Sequence, residues 1–198
     1  MRLLASLLFA VLVLGPGGTV VAAADGEKGG PAKPSEDQWL KLPFPEVEGW
    51  KRLPAKALPG DGYAVGYNAA DGTAVTFYVY NRGMARIPDD PSAGPVQREM
   101  AEAKDAVRQM KEMGRYDEVT EEASGESTLG GAKDGRKVLH ARYRLTFRST
   151  ELLSDIYVLP YRNHFLKVRT TRPAAGAEKS AEALAGLYAA VDKMLARE

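Results

Sequence analysis

The chain has 198 residues and a nearly neutral charge, with 27 Lys and Arg against 26 Asp and Glu, and it has no cysteine. This balance argues against nonspecific binding to nucleic acid, which depends on an excess of basic charge, and it gives no basic bias toward anionic membranes. The lack of cysteine excludes disulfides, a thiol nucleophile, thiolate metal sites and a lipid-anchored cysteine.

The N-terminal sequence has the organisation of a secretory signal peptide. Arg2 precedes an apolar run over residues 3–14, a Gly-Pro segment interrupts the run, and alanines follow at 22–24. The apolar run is shorter than the roughly 20 residues that a membrane span requires. We therefore predict a signal peptide over residues 1–24 and a soluble product that begins at Asp25, secreted or periplasmic, without a transmembrane segment. An uncleaved signal would instead leave its apolar run as a weak membrane anchor.

Two segments with little regular pattern follow the signal peptide. Residues 25–38 are rich in Gly, Pro, Lys and Glu and have almost nothing to bury, so we predict a disordered spacer. Aromatic residues mark the next segment, where Trp39, Phe44 and Trp50 are predicted to pack on the rest of the chain. We expect a single domain over residues 39–198.

Two strands joined by a tight turn begin the regular structure. Residues 63–68 and 73–80 are strand-like, and Asp71-Gly72 between them is a strong hairpin signal. The second strand alternates two apolar or aromatic sets, so we expect both of its faces to be covered. These sets are Val75, Phe77, Val79 and Thr76, Tyr78, Tyr80. A long connection without a pattern of its own follows over residues 81–94.

An amphipathic helix is predicted over residues 95–113. Pro95 suits the first turn of a helix, because its missing N–H would have no partner there, and Gly114 ends the helix. One apolar stripe shows the steps of four and three that a helix requires. Its members are Val96, Met100, Ala103, Val107 and Met110. The opposite, polar face is predicted to carry Arg98, Glu99, Glu102, Asp105, Arg108 and Lys111.

Four further strands and a second helix complete the predicted elements. The strands are residues 116–128, which are acidic, 137–148, 152–160 and 165–172, and the helix is residues 178–196. The stripe of this helix consists of Leu184, Tyr188, Val191 and Leu195. Short turns between successive strands require antiparallel pairing, and helices between groups of strands pack on the sheet. The sequence therefore predicts an α+β fold, an antiparallel sheet of about six strands packed with two long helices as a layered sandwich.

The segment over residues 157–170 adds a resemblance to a known family. It reads YVLPYRNHFLKVRT, a hairpin that leads into a Lys-x-Arg strand and is followed by the terminal helix. With the order of elements over residues 39–196, it resembles the PsbP/Mog-like fold, an antiparallel sheet between helices. That family includes extrinsic proteins of photosystem II, small-GTPase-binding proteins and exported bacterial proteins of unknown role. The resemblance implies a noncatalytic binding or accessory module and assigns no functional residue.

The basic face of the strand over residues 137–148 is the first candidate site. Its members are His140, Arg142, Arg144 and Arg148. They could hold an anionic ligand or an acidic partner, although pairing with acids of the sheet is the commoner role of such residues. A two-residue turn at Ser149-Thr150 would place Arg144 opposite Asp155. In that register Lys167 and Arg169 lie on the other face, so the two basic sets do not merge.

The connection over residues 81–94 is the second candidate site, because long loops without a pattern often bind ligands or partners in compact domains. Its candidate binding residues are Arg82, Met84 and Arg86. The alternative is that Met84 and Ile87, with the prolines of the loop, plug one end of the sheet.

Two further features have simpler interpretations. His164 could be a metal ligand or a general base, but it lacks neighbouring partners, so we interpret it as an exposed turn residue. The acidic stretch over residues 117–126 could bind a divalent cation through its carboxylates. Acids spread along a strand lack the glycine turn of a calcium loop, and we interpret them as protection of a sheet edge.

The sequence shows no catalytic, phosphate-binding or dinucleotide-binding motif. We therefore predict an exported, non-enzymatic binding or accessory module of the bacterial cell envelope. Its expected partner is an envelope protein or a small ligand, with no cofactor and no nucleic acid. A carrier that holds a small ligand or lipid in an apolar pocket between sheet and helix is the second prediction, and a hydrolase with an unrecognised site is the third.

Overall fold

The computed structural model describes residues 40–58 and 62–197, which contain eight strands, two α-helices and one short 3-10 helix. In chain order the strands and α-helices are β1 Trp50–Arg52, β2 Lys56–Ala57, β3 Gly62–Ala69, β4 Ala74–Tyr80, α1 Gly94–Glu112, β5 Glu118–Thr128, β6 Lys137–Phe147, β7 Thr150–Tyr161, β8 His164–Pro173 and α2 Ala177–Arg197. Within these residues, no helix is long and apolar enough to cross a membrane. The predicted signal peptide, the predicted spacer and Trp39 lie outside the described residues.

All eight strands belong to one antiparallel sheet. Their order is β1-β3-β4-β8-β7-β6-β5, and β2 also pairs with β3. The predicted α+β class and antiparallel sheet are confirmed, and each predicted strand and helix occurs with its ends shifted by at most two residues. The predicted number of about six strands is wrong. The missed strands, β1 and β2, have three and two residues and flank Pro54, so they are too short to show a period-two pattern.

Two-residue turns connect β6 to β7 and β7 to β8. Arg148 and Ser149 form the first turn with φ angles of 48° and 64°, and Arg162 and Asn163 form the second with 45° and 62°. Positive φ at both central residues is the requirement of a type I′ turn, whose twist matches that of the strands it joins. Neither turn contains glycine, so in both turns residues with side chains adopt a backbone conformation that such residues rarely populate.

The β6–β7 turn corrects the predicted register. It lies one residue earlier in the chain than predicted, so Phe147 pairs with Thr150. Arg142 therefore lies opposite Asp155, and the predicted pairing of Arg144 with Asp155 is wrong. The error amounts to two residues along β7.

This error leaves the assignment of side chains to the two faces of the sheet intact. Successive side chains of a strand point to opposite faces, so a slip of two residues returns every side chain to its predicted face. Arg142 lies on the same face as Tyr157 and Val168. Lys167 and Arg169 lie on the other face. The predicted separation of the two basic sets is therefore confirmed.

α2 packs on one face of the sheet through its predicted apolar stripe. Buried members of the stripe are Leu184, Tyr188, Val191 and Leu195. The strands contribute Tyr63, Val65, Tyr67, Val75, Phe77, Val79, Leu159, Leu166 and Val168. Before β1, the ring of Phe44 lies 5.2 Å from that of Phe77, and the indole N–H of Trp50 donates to the carbonyl of Ala183 at 3.2 Å. The predicted packing of Phe44 and Trp50 on the domain is confirmed.

α1 packs on the opposite face, against β5, β6 and β7. Buried members of its predicted stripe are Val96, Met100, Ala103 and Val107, and Met110 is partly buried. The placement of Glu99 on the polar face is wrong, because Glu99 is only 2% exposed. It lies three residues after Val96 and four before Ala103, which puts it beside the apolar stripe. This spacing is the sequence signal that could have identified it.

α2 comes very close to a short 3-10 helix, Leu129–Gly131, that connects β5 to β6. Gly130 has a φ angle of 67°, and a Cβ atom added there would lie 2.5 Å from Cδ2 of Tyr188. The neighbouring Gly131 has a similar φ angle of 74° but no atom within 4 Å of an added Cβ. The two glycines therefore share a backbone requirement and differ in the space around them.

Replacement of Gly130 by alanine is expected to destabilise the protein more than the matched Gly131→Ala. Both variants place a side chain at positive φ, which costs about 1 kcal/mol. Gly130→Ala also overpacks Tyr188, which adds about 1–3 kcal/mol. The midpoints of urea unfolding measure the difference. Equal midpoints for the two variants would contradict the close approach of α2 to Gly130.

Candidate functional site

α2 leaves one corner of its face of the sheet uncovered. The helix begins beside the β3–β4 turn and ends beside Tyr161, whose hydroxyl donates a hydrogen bond to the carbonyl of Leu195 at 3.0 Å. The side chains at the far corner of β5 to β8 on this face are mostly polar and partly exposed. We call this surface the open corner, and its residues are Thr120, Glu122, His140, Arg142, Arg144, Leu153, Asp155 and Arg172.

Asp155 is the buried centre of the open corner. Its Oδ1 accepts hydrogen bonds from Nε2 of His140 at 2.8 Å and from Nε of Arg142 at 2.7 Å, while Nη2 of Arg172 lies 3.9 Å from Oδ2. Burial alone would raise the pKa of Asp155, but the hydrogen bonds from His140 and Arg142 outweigh burial and hold the pKa below its ordinary value of 3.8. The carboxylate is therefore charged at neutral pH and fixes His140 and Arg142 on the sheet.

Arg142 and Arg144 combine a fixed position with exposure to solvent. Nε of Arg144 donates to Oε1 of Glu122 at 2.7 Å, and its Nη1 lies 3.7 Å from Oε2 of Glu151. The side chains of Arg142 and Arg144 are 38% and 43% exposed. Arg148 extends from the β6–β7 turn, with its guanidinium 5.1 Å from the ring centre of the preceding phenylalanine. Pairing with acids, the alternative predicted for this face, is present and leaves part of the Arg142 and Arg144 side chains accessible.

His140 meets a carboxylate, as the hydrolase hypothesis requires, but it lacks the other partners of a catalytic histidine. Its ring stacks on that of Tyr157, with centroids 4.6 Å apart and an interplanar angle of 13°. Among the described residues its hydrogen bond goes to Asp155, and no hydroxyl or second carboxylate is bonded to it. A general base needs a nucleophile in reach, and Arg142 already neutralises Asp155. The arrangement therefore favours a structural hydrogen bond over an acid–base pair.

A second buried carboxylate, that of Glu99, organises charged side chains on the opposite face. It accepts hydrogen bonds from the Tyr80 hydroxyl and from Arg82, whose Nε lies 2.6 Å from Oε2, and Nζ of Lys167 lies 3.5 Å from Oε1. Arg82, a predicted candidate residue, also places Nη1 2.8 Å from Oε2 of Glu102. We call these five residues the Glu99 cluster. Burial, reinforced by the neighbouring carboxylate, raises the pKa of Tyr80, and burial lowers the pKa of Lys167 although Glu99 opposes that shift.

The connection between β4 and α1, the second predicted site, is anchored to the domain. Ile87 is buried, and its N–H donates to Oδ1 of Asn163 in the β7–β8 turn at 2.6 Å. The amide nitrogen of Asn163 donates in turn to the carbonyl of Ala85 at 3.2 Å. Met84 packs against the core under α1, whereas Arg86 is exposed. Met84 and Ile87 therefore pack as the plug interpretation predicts.

The remaining candidate residues occupy ordinary structural positions. His164 is partly buried at the start of β8, and its Nδ1 bonds to the carbonyl of Arg162 at 2.9 Å. The acidic strand β5 forms an edge of the sheet, where Glu121 accepts a hydrogen bond from Lys104 at 2.7 Å. Over residues 40–58 and 62–197, no group of three or more His, Asp or Glu side chains is arranged to hold a metal ion.

Two surface depressions of the described part of the chain lie away from both charged clusters. One, of about 210 Å³, is lined by the β3–β4 turn and the start of α2, and the other, of about 450 Å³, lies beside β1 and the end of β3. Both open at the ends of strands. A carrier needs an enclosed pocket between the sheet and a helix, so neither depression supports the carrier hypothesis.

Comparison with known proteins assigns no family to this chain. A scan against protein-family models finds no match, and a search of curated proteins finds none either. The candidate sites are therefore supported by the geometry of their residues.

Replacement of Glu99 by glutamine is expected to lower the free energy of unfolding by about 3 kcal/mol, because it leaves Arg82 and Lys167 without their buried carboxylate. The matched control is Glu102→Gln, whose side chain is 57% exposed and whose loss should change stability by less than about 0.5 kcal/mol. Urea unfolding at pH 7 measures both variants. Similar stabilities for the two would show that Glu99 does not hold this face together.

Replacement of Asp155 by asparagine is expected to destabilise the protein by about 3 kcal/mol at neutral pH, and the loss should depend on pH. The pKa of Asp155 is depressed in the folded protein, so its stabilisation is present above pH 3.8 and disappears as the pH falls through the lower folded value. The difference in the free energy of unfolding between wild type and Asp155→Asn should therefore disappear in strong acid. Unfolding curves between pH 2 and 7, on the order of one per pH unit, measure this difference.

The control for this pH dependence is Asp105→Asn, which removes an exposed partner of Arg108 on α1. Its stability should follow that of the wild type at every pH, because exposed ion pairs contribute little. A difference for Asp155→Asn that stays constant down to the lowest pH would contradict the charged state assigned to Asp155.

Proposed function

We propose that this protein is an exported, non-enzymatic binding module of the bacterial cell envelope, which docks an acidic segment of an envelope protein on the open corner. The observation that carries the proposal is the pair of arginine side chains, Arg142 and Arg144. Both are held by acids and remain partly exposed on a sheet surface that no described helix covers. Side chains that are already fixed lose little entropy on binding, and guanidinium groups suit the planar geometry of carboxylates.

Arg172 adds a hydrogen-bond donor without an acceptor to the same surface. Its side chain is 12% exposed, its Nε is buried without an acceptor, and the nearest carboxylate oxygen lies 3.9 Å from its Nη2. In the described part of the chain, the carboxylate of Asp155 thus serves Arg142, Arg172 and His140 together. This excess of donors supports an anionic partner over a basic one.

The polar character of the open corner supports a transient and salt-sensitive interaction. Its apolar member, Leu153, is partly buried, and Met113 is the exposed large apolar side chain among the described residues. A permanent interface would need a contiguous apolar patch. Charged surfaces instead give fast association and selection between partners.

Export and the family resemblance belong to the same proposal. The N-terminal sequence supports export, because it has the three regions of a signal peptide. An antiparallel sheet with one helix on each face, of which α2 follows the last strand, supports the PsbP/Mog-like resemblance. That resemblance implies a binding or accessory module, and the open corner provides a surface on which such a module would bind its partner.

Photo-cross-linking from the open corner in living cells tests the proposal. The full chain carries a photoreactive residue at Thr120, directly opposite Arg144 on β5, or at Gln109, on the exposed face of α1, as the positional control. We expect Thr120 to capture an acidic segment of an envelope protein and Gln109 not to capture it. The Thr120 adduct should fall about fivefold in Arg144→Ala, which corresponds to roughly 1 kcal/mol of binding energy.

The matched variant is Arg108→Ala, which removes an arginine that is also exposed and also paired, but lies on the other side of the domain. It should leave the adduct unchanged. Equal capture from both positions, an adduct insensitive to Arg144→Ala, or a captured segment without acidic excess would overturn the docking surface. N-terminal sequencing of the recovered protein should begin at Asp25, and retention of the whole chain in the cytoplasm would overturn export.

A further inference from the structure

A second uncovered surface lies on the α1 side of the sheet. α1 packs on β5, β6 and β7, so the same face of β4 and β8 extends beyond the helix. Alternate residues of these two strands point to this side and pair across the strands. We call this surface the basic groove, and its residues are Thr76, Tyr78, Lys167, Arg169 and Thr171.

Arg169 differs from the other arginines of the strands because no acid of the described residues neutralises it. Its Nη2 donates to the hydroxyl of Tyr116 at 2.8 Å, and its Nε is buried without an acceptor. No carboxylate lies within 4 Å of it among the described residues, whereas Arg82, Arg142 and Arg144 all have one. A partly buried guanidinium that has an unsatisfied N–H and no counter-charge is unfavourable unless an anion accepts its hydrogen bond and neutralises its charge.

Residues with hydroxyl groups lie beside Arg169 on the same face of the sheet. Thr76 pairs directly with Arg169 across β4 and β8, and Tyr78 pairs with the next residue of the same face, Lys167. Tyr116 supplies the phenol that Arg169 already contacts. Hydroxyls rotate to donate to an anion, so a guanidinium among hydroxyls can satisfy several oxygens of one small ligand.

Lys167 adds positive potential without being available as the main contact. Its Nζ lies 5.3 Å and 5.1 Å from the ring centres of Tyr78 and Tyr80, and the carboxylate of Glu99 balances its charge at 3.5 Å. The uncompensated charge of the basic groove therefore resides on Arg169. Nη1 of Arg169 has no partner within the described residues and is not buried, so it is the nitrogen that a ligand can reach.

The basic groove has a wall on the side of β3. A Cβ atom added to Gly66 would lie 3.1 Å from Cδ1 of Leu53, so the segment between β1 and β2 lies over β3 on this face. Tyr116, which is buried, bounds the groove on the side of α1. Leu53 and Tyr116 therefore flank this part of the sheet, which suits a small group better than an extended chain.

We infer that the basic groove binds a small oxyanion, a phosphate or carboxylate group, through Arg169 and the hydroxyls of Thr76 and Tyr78. This site lies on the opposite face from the open corner and does not depend on the proposed docking of a partner. The sequence patterns predict only strands at these residues and indicate no ligand.

Titration of the full chain with inorganic phosphate and, separately, with succinate tests the inference. Backbone amide NMR shifts are followed at constant ionic strength, with sodium chloride replacing the ligand in the reference series. We expect saturable shifts centred on Thr76 and Arg169, and at least tenfold weaker binding in Arg169→Gln. Saturation by phosphate alone, or by succinate alone, identifies which oxyanion the groove prefers.

The matched control is Arg136→Gln, because the buried Nε of Arg136 also forms no hydrogen bond but lies 3.5 Å from Oδ1 of Asp192, which balances its charge. It should leave the affinity unchanged. If Arg169→Gln fails to fold, Thr76→Val decides the question, since it removes one hydroxyl and should weaken binding about threefold. No saturable shift with either ligand, or equal affinity in the wild type and these groove variants, would overturn the inference.

Discussion

The width of the sheet, compared with the width of a helix, determines which surfaces of this protein can bind. Seven strands lie side by side at about 4.8 Å, so the sheet is roughly 29 Å wide, whereas a helix with its side chains covers about 10–12 Å. One helix on each face therefore cannot cover the sheet. Phe44 and Leu53 cover further strands, each on one face. The rest of both faces must be polar, because an exposed apolar sheet surface would aggregate.

Buried carboxylates stabilise the boundary between covered and uncovered sheet. Asp155 occupies this boundary on the α2 side, and Glu99 reaches it from α1 on the other side. A buried charge without partners is costly, so each carboxylate gathers cations from neighbouring strands and from the β4–α1 connection. The cations that emerge at the surface, Arg142 and Arg82, are therefore positioned by the interior. The orientation of the binding surfaces follows from the packing of the core, although the surfaces themselves contain few apolar groups.

Periodicity in the sequence predicted the helices, the longer strands and the faces of the sheet, because burial imposes steps of four and three on a helix and of two on a strand. Periodicity failed where turn conformation or hydrogen bonding to a buried charge determines the structure. The Arg148-Ser149 turn lacks the Asn-Gly signal of a type I′ turn, so the register followed an incorrect turn. Glu99 is a member of the face opposite the predicted apolar stripe, yet it is buried, and hydrogen bonds from a tyrosine and an arginine compensate its burial.

The candidate sites were harder to predict than the fold because a cation acquires its function from its counter-charge, and that counter-charge comes from elsewhere in the chain. Arg142 and Arg169 look alike in the sequence, since both alternate with apolar residues on a strand. Across the sheet, Arg142 faces Asp155, whereas Arg169 lies between Thr76 and Ile156. An acid in the partner strand makes the first a structural ion pair that is only partly available to a ligand. Arg169 has no acid opposite it in either neighbouring strand, so its positive charge remains for a ligand to neutralise.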